Sequence, residues 1–228
     1  MAWRASMPRT WELTGSSLPL MRGIATMVCL LIRPKTRQNR QVNKEAVELF
    51  CAILAIATLA GGIITLAALA FESRMTWTHA WLTQVRASGL WIICLITTGA
   101  MVGSLYFSEH VGFAPCKLCW YQRIAMYSIA IISFVAALRN DKNIVRYTIV
   151  LAPMGLVVST YHYLLEWYPN LETSVCSLDV PCTAVWFREL GFVTLCFMAG
   201  CAFITVIAVS LAIMREQSID STSIHQEK

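Results

Sequence analysis

Nine cysteines in 228 residues are the groups best able to do chemistry here, and four of them form two close pairs. Cys116 and Cys119 stand in Pro-Cys-Lys-Leu-Cys-Trp over 115–120, and Cys176 and Cys182 bracket Ser-Leu-Asp-Val-Pro. A C-x-x-C pair at a helix start is an arrangement that makes a thiol reactive, because unpaired N–H groups and partial positive charge stabilise a thiolate there. Arg123 follows Cys119 by four residues, which on a helix is the same face one turn deeper. An arginine inside a membrane mouth is costly without a partner, and a thiolate is one such partner. Two other chemistries fit the four sulfurs: a four-cysteine zinc site, or two structural disulfides. Attachment of a c-type haem needs C-x-x-C-H, and position 120 is Trp, which excludes it. Cys29, Cys51, Cys94, Cys196 and Cys201 lack a pairing motif. All but Cys29 lie in or beside apolar runs and read as small buried hydrophobes.

The elements that carry these residues are membrane spans. The chain is 57% hydrophobic and 14% charged, against a soluble norm of about 45–50% and about 25%, and its mean hydropathy is +0.60. That composition excludes a disordered chain and argues against an ordinary soluble domain. Apolar runs cover 49–71, 89–107, 120–138, 144–165 and 190–213, each long enough to cross the hydrocarbon as a helix. Pro153 sits inside the fourth run and predicts a kink. The fold class is therefore all-α: a polytopic membrane protein, read as a four-helix transmembrane bundle over 75–213 with room for a further N-terminal transmembrane helix.

Lysine and arginine counts set the orientation. The loops at 108–118 and 166–189 hold only Lys117 and Arg188, whereas Arg139, Lys142 and Arg146 cluster at the opposite turn. Positive-inside puts that turn and a tail over 214–228 in the cytoplasm, and the two cysteine loops outside together. Trp167, Tyr168, Trp186 and Phe187 suit the membrane interface, as do Trp120 and Tyr121, and Arg146 suits a snorkelling anchor. The net charge of +5 is a tail property, since 8 of the 18 Lys and Arg precede residue 45, so it gives no nucleic-acid footprint. Those eight sit on the wrong side for a spanning 49–71. Residues 1–74 thus form a basic extension with one apolar segment, read in three ways: an inverted span, an interfacial segment, or a stretch outside a native protein that starts near Met75. The last is favoured.

Cys116-Lys-Leu-Cys119-Trp-Tyr-Gln-Arg123, followed by an apolar helix, resembles the DsbB/BdbC family of membrane thiol–quinone oxidoreductases. Gly103-Ser-Leu-Tyr-Phe-Ser-Glu109 is similar to the end of that family's first helix. Tyr161-His162-Tyr163, then Tyr168-Pro169, is similar to the end of its third. The short spacing from Cys176 to Cys182 resembles the BdbC-like branch, and the likeness covers about residues 89–213. The resemblance implies a four-helix bundle in the bacterial cytoplasmic membrane, with its redox cysteines facing outward. Such a protein reoxidises a DsbA-like thioredoxin-fold partner and passes the electrons to a quinone, ubiquinone or menaquinone. By the same likeness, Cys176 takes the mixed disulfide with the partner. Cys182 then attacks a Cys116–Cys119 bridge at Cys116, Cys119 leaves as the thiolate that meets the quinone, and Arg123 holds the quinone oxygen. The helix-start argument makes Cys119 the best leaving group of the four. His162 reads either as a satisfied helix-end histidine or as a polar wall or proton relay near the quinone; Met126 and Tyr127 read as core. Two alternatives remain. One is an enzyme similar to vitamin-K-epoxide reductases, disfavoured because their C-x-x-C follows the loop cysteines. The other is a non-enzymatic protein that binds metal through the four cysteines.

Overall fold

The computed structural model describes residues 19–72, 76–172, 176 and 180–226, with side chains described only between 44 and 218. The side chains of Cys29 and of the basic residues before 44, the proposed start at Met75, and the side chains of the tail from 219 on lie outside that set. The chain forms two compact units, residues 1–45 and 46–228. The first holds the N-terminal part of α1 (Pro19–Ala70). The second contains the rest of α1 with α2 (Thr76–Leu105), α3 (Lys117–Arg139), α4 (Val145–Trp167) and α5 (Leu195–Gln226). Among the described residues, five helical segments are long and apolar enough to cross a membrane: 44–70, 76–110, 117–139, 142–167 and 195–218. Among the described residues, the one β feature is an isolated bridge between Glu189 and Val193.

Helices α2, α3, α4 and α5 pack as a closed ring, α2 on α3, α3 on α4, α4 on α5 and α5 on α2. The outer face is apolar, with Leu95, Ile131, Leu138 and Val157 each more than 60% exposed, as lipid contact requires. Where solvent gives no drive to associate, close approach and interhelical hydrogen bonds hold helices together. Thr148 and Ser210 hydroxyls meet at 2.7 Å between α4 and α5, and Ser159 Oγ donates to the Cys196 carbonyl at 2.6 Å. Gly155 lets α4 lie against the fully buried Phe203 of α5: a Cβ there would fall 2.2 Å from Phe203 Cζ. Gly155→Ala is therefore expected to cost about 1–3 kcal/mol through overpacking. Thermal unfolding in detergent measures it, with Gly61→Ala, which meets nothing within 4 Å, as the unperturbed control.

Two boundaries differ from the apolar runs. Helix α2 begins thirteen residues earlier than Gly89, because Arg86, which ends the run, is buried and paired. Its Nη2 donates to Glu72 at 2.7 Å and its Nε to the Ala212 carbonyl at 3.2 Å. Helix α5 begins at Leu195 rather than 190, because residues 189–193 make a tight reversal with Leu190 and Gly191 at positive φ (51° and 81°). Gly191 reaches that region without the Cβ penalty. Pro153 is accommodated within a continuous α4. At the end carrying Arg139, Asn140 caps α3 in the left-handed region and Lys142 Nζ bonds Glu216 at 2.6 Å. The opposite end carries the cysteines.

Candidate active site

Helix α3 starts at Lys117 with Cys116 as its N-cap, whose sulfur accepts the Cys119 backbone N–H at 3.4 Å. Cys116 is buried, Cys119 partly buried, and their sulfurs share a hydrogen bond at 3.3 Å as a dithiol. Cys176 and Cys182 form a disulfide. Cys182 is fully buried and Cys176 partly open, and both pairs belong to one cluster with Leu118 and Leu165. Two residues of a loop after α4 thus pack on the first turn of α3, sixty residues away in sequence.

His162 joins the pairs. It is buried on the last turns of α4, and its Nε2 lies 3.5 Å from Cys116 Sγ and 3.1 Å from the Cys182 carbonyl oxygen. Gln122 Nε2 stands 3.4 Å from His162 Nδ1. An amide nitrogen only donates, so Nδ1 accepts and the ring proton sits on Nε2, facing both cysteines. Both ring nitrogens of this helix-end histidine thus have partners in the cysteine cluster.

Negative charge in the dithiol is favoured on Cys116. Its thiol is held well below its ordinary range, first by the hydrogen bond with the Cys119 thiol; burial opposes this, and His162 and the Cys119 N–H add to it. The helix-start argument had placed that charge on Cys119. The difference comes first from the hydrogen bond between the two thiols, to which the N-cap position of Cys116 adds least. A stabilised thiolate favours the reduced form and makes the C-x-x-C pair a stronger oxidant. Cys116 therefore ionises at a lower pH than an unperturbed thiol, which is mostly protonated below about 8.5. Ultraviolet thiolate absorbance of the reduced protein is expected to show that low midpoint. Cys119→Ala, which removes the S–H donor, should move it upward.

On the other side of Cys119 opens an apolar cavity of about 380 Å³ between α1, α2, α3 and α5. Arg123, Gln122, Ser104, Ser108 and Thr58 are among its polar groups, and Met126, Tyr127, Phe107 and Trp186 are among its other walls. Arg123 is held by Ser104, Nε to Oγ at 2.9 Å and Nη2 to the carbonyl at 3.1 Å, and its guanidinium lies 5.4 Å from the Trp120 ring centroid. Phe107, Phe113, Trp186 and Phe187 stack at the mouth, with Phe113 and Trp186 centroids 4.8 Å apart. Trp186 and Phe187 pack against these rings, with Trp186 42% exposed. A second cavity of about 20 Å³, the size for one water, lies behind Cys119 against His162, Glu166 and Cys196. Cys196 donates its S–H to Glu166 Oε1 at 3.2 Å, so it is more than a hydrophobe, while Cys94 and Cys201 are buried in apolar surroundings as expected.

Sequence reasoning missed Gln122, Ser104, Glu166 and Phe113, and read Met126 and Tyr127 as core only. A polar residue one helical turn from Cys119 is the signal that marks Gln122, and Ser104 stands within the Gly103–Glu109 stretch; nothing local marks Phe113. The four cysteines do not stand as a tetrathiolate, since two are joined to each other. The metal-ligating donors that do lie together are those of Cys116, Cys119 and His162, and of His162, Glu166 and Cys196.

Comparison with known proteins bears on this geometry. A family described as disulfide bond formation protein DsbB matches residues 86–212, more than half of the chain. The chain belongs to the DsbB family. A probable disulfide formation protein of Oceanobacillus iheyensis is 41% identical over 120 residues, which is 52% of this chain and 83% of that one. A probable disulfide formation protein C of Halalkalibacterium halodurans is 41% identical over 130 residues, 57% of this chain and 93% of the relative. The disulfide bond formation protein C of Bacillus subtilis is 39% identical over 129 residues, 56% and 91%. No solved structure matches the chain. As a DsbB-family member it is a multi-pass membrane oxidoreductase that generates disulfides, exchanging them with a thiol partner.

Proposed function

We propose that this chain oxidises a DsbA-like thioredoxin-fold protein outside the bacterial cytoplasmic membrane and delivers the electrons to a membrane quinone, ubiquinone or menaquinone. One observation carries the reading: a reactive dithiol lies between a loop disulfide on one side and an apolar, arginine-bearing cavity on the other. The cavity fits a quinone by the chemistry of its lining, since an apolar ring needs apolar walls and its oxygens need donors, which Arg123 and Gln122 supply. A quinone bound there supplies an acceptor for two electrons and two protons.

The chain's own residues then have these roles. Cys176, the more open sulfur, takes the partner's thiolate and forms the mixed disulfide, and Cys182 leaves as a thiol inside the cluster. The partner's second thiol resolves the mixed disulfide. The Cys176–Cys182 dithiol is reoxidised by the Cys116–Cys119 bridge: Cys182 attacks Cys116 and Cys119 leaves, then Cys176 attacks Cys182 and Cys116 leaves. That exchange leaves the C-x-x-C pair reduced. His162 donates Nε2–H to the Cys116 thiolate and so stabilises it. Cys116 stands 3.3 Å from Cys119, in place to close the bridge again as the Cys119 proton leaves toward the cavity. Arg123, fixed by Ser104, offers its positive charge where oxygen gains negative charge. The cysteine end faces outward in this reading, with Arg139, Lys142 and Arg146 at the cytoplasmic end.

Turnover tests it. Purified protein in detergent, kept under nitrogen with excess reduced DsbA-like protein and a short-chain quinone, should consume one quinone for each partner disulfide formed. Partner oxidation without quinone loss would contradict the reading. His162→Ala should slow turnover on the order of 10²-fold and raise the pH at which Cys116 ionises, whereas a purely structural histidine would lower thermal stability and leave that midpoint in place.

A further inference from the structure

The family match begins at residue 86, yet the compact unit that holds the site begins at residue 46. Between them, α1 contributes one wall of the large cavity. Cys51, Leu54, Ala55 and Thr58 line it together with Cys119 and Arg123. Their spacing of three, one and three residues puts all four on one helical face. Ile53 and Ile64 lie off that stripe and are exposed, at 56% and 41%.

That wall is fixed in register. Thr205 Oγ1 of α5 donates to the Thr58 carbonyl at 2.8 Å. Gly62 allows the approach, since a Cβ there would fall 2.8 Å from the same oxygen. Lower down, Trp81 Nε1 donates to Thr65 Oγ1 at 3.2 Å, and Arg215 Nη1 donates to the Leu69 carbonyl at 2.6 Å. Ala52, Ala55 and Ala68 are buried along the seam. Close approach through small residues, with hydrogen bonds from neighbouring helices, is how a transmembrane helix docks on a bundle. Facing α1 across the cavity, α2 and α5 present Gly99, Gly103, Ala199 and Ala202, side chains too small to close it alone.

We propose that α1 is a working part of the quinone site, closing it on the lipid side, and that Cys51, Leu54, Ala55 and Thr58 are quinone-contacting residues that set which quinone ring this chain accepts. The inference rests on the thiol–quinone reading above. It assigns a function to a helix outside the family match, and it makes Cys51 a built-in reporter of the cavity rather than a redox partner.

Two measurements test it in the full chain. In a Cys116→Ser/Cys119→Ser background, where no quinone is reduced, N-ethylmaleimide should modify Cys51, and a short-chain ubiquinone should slow that modification several-fold, read by mass of the Cys51 peptide. In the otherwise native protein, Ala55→Trp should raise the quinone KM at least about tenfold while Ile53→Trp on the same helix leaves it unchanged. Leu54→Trp, at a half-open position, serves if Ala55→Trp does not fold. Unprotected Cys51 and an unchanged KM, in a protein that still reduces quinone, would overturn the inference and leave the reading beneath it standing. A native protein that reduces no quinone would instead overturn that reading.

Discussion

Cys119→Ser is expected to give a folded protein that no longer turns over, a loss on the order of 10³-fold or more. Cys119 is the sulfur of the dithiol that lines both the large cavity and the small one behind it. Serine keeps the size and the hydrogen bond toward Cys116, so packing survives, but it cannot close a disulfide. The partner side separates the two pairs. Cys176→Ser should equally abolish oxidation of a DsbA-like protein. It should nonetheless leave quinone reduction by a small dithiol such as dithiothreitol largely intact, because that reagent can reduce the Cys116–Cys119 bridge directly. Cys119→Ser should lose both activities. Quinone reduction that survives Cys119→Ser would remove the role given to that residue.

Arg123→Leu should cost roughly 10²–10³-fold, the size of effect seen when a preorganised donor to a developing oxyanion is removed. The guanidinium enters an apolar cavity on the second turn of α3 and is held through Nε and Nη2 by one serine. Fixing it beforehand saves reorganisation when charge develops opposite it. Arg123→Lys keeps the charge but loses the forked grip on Ser104, so it should recover only part of the loss. Ser104→Ala should raise the quinone KM with a smaller effect on the maximal rate. An arginine serving only structure would give a lowered unfolding temperature and an unaltered quinone KM in all three variants.

The pairs of cysteines, the arginine after them and the number of apolar runs were legible because each is local in sequence: spacing within one helical turn, or a run long enough to span. Membership of a disulfide-forming family followed from the same residues. What the pattern did not carry was nonlocal. Arg86 reads as the end of a span until Glu72 and the Ala212 carbonyl are seen to satisfy it. Negative charge is favoured on Cys116 through its contacts with the Cys119 thiol and with His162, which spacing along the chain does not reveal. His162 is tied to Cys116 across forty-six residues, and Cys182 to the same cluster through a loop. The apolar segment at 49–71 looked foreign by charge. Its small-residue seam against α5 is visible only once Gly62 and Thr205 are brought together.

The order of electron flow is the central claim, and disulfide mapping tests it most directly. The fully reduced protein is mixed with one equivalent of quinone without oxygen, quenched with acid and alkylated, and its disulfides are mapped by mass spectrometry over time. The Cys116–Cys119 bridge should form first, with Cys176–Cys182 appearing only afterwards, by exchange. A Cys176–Cys182 bridge that forms first, or that forms equally fast in Cys119→Ser, would contradict the account.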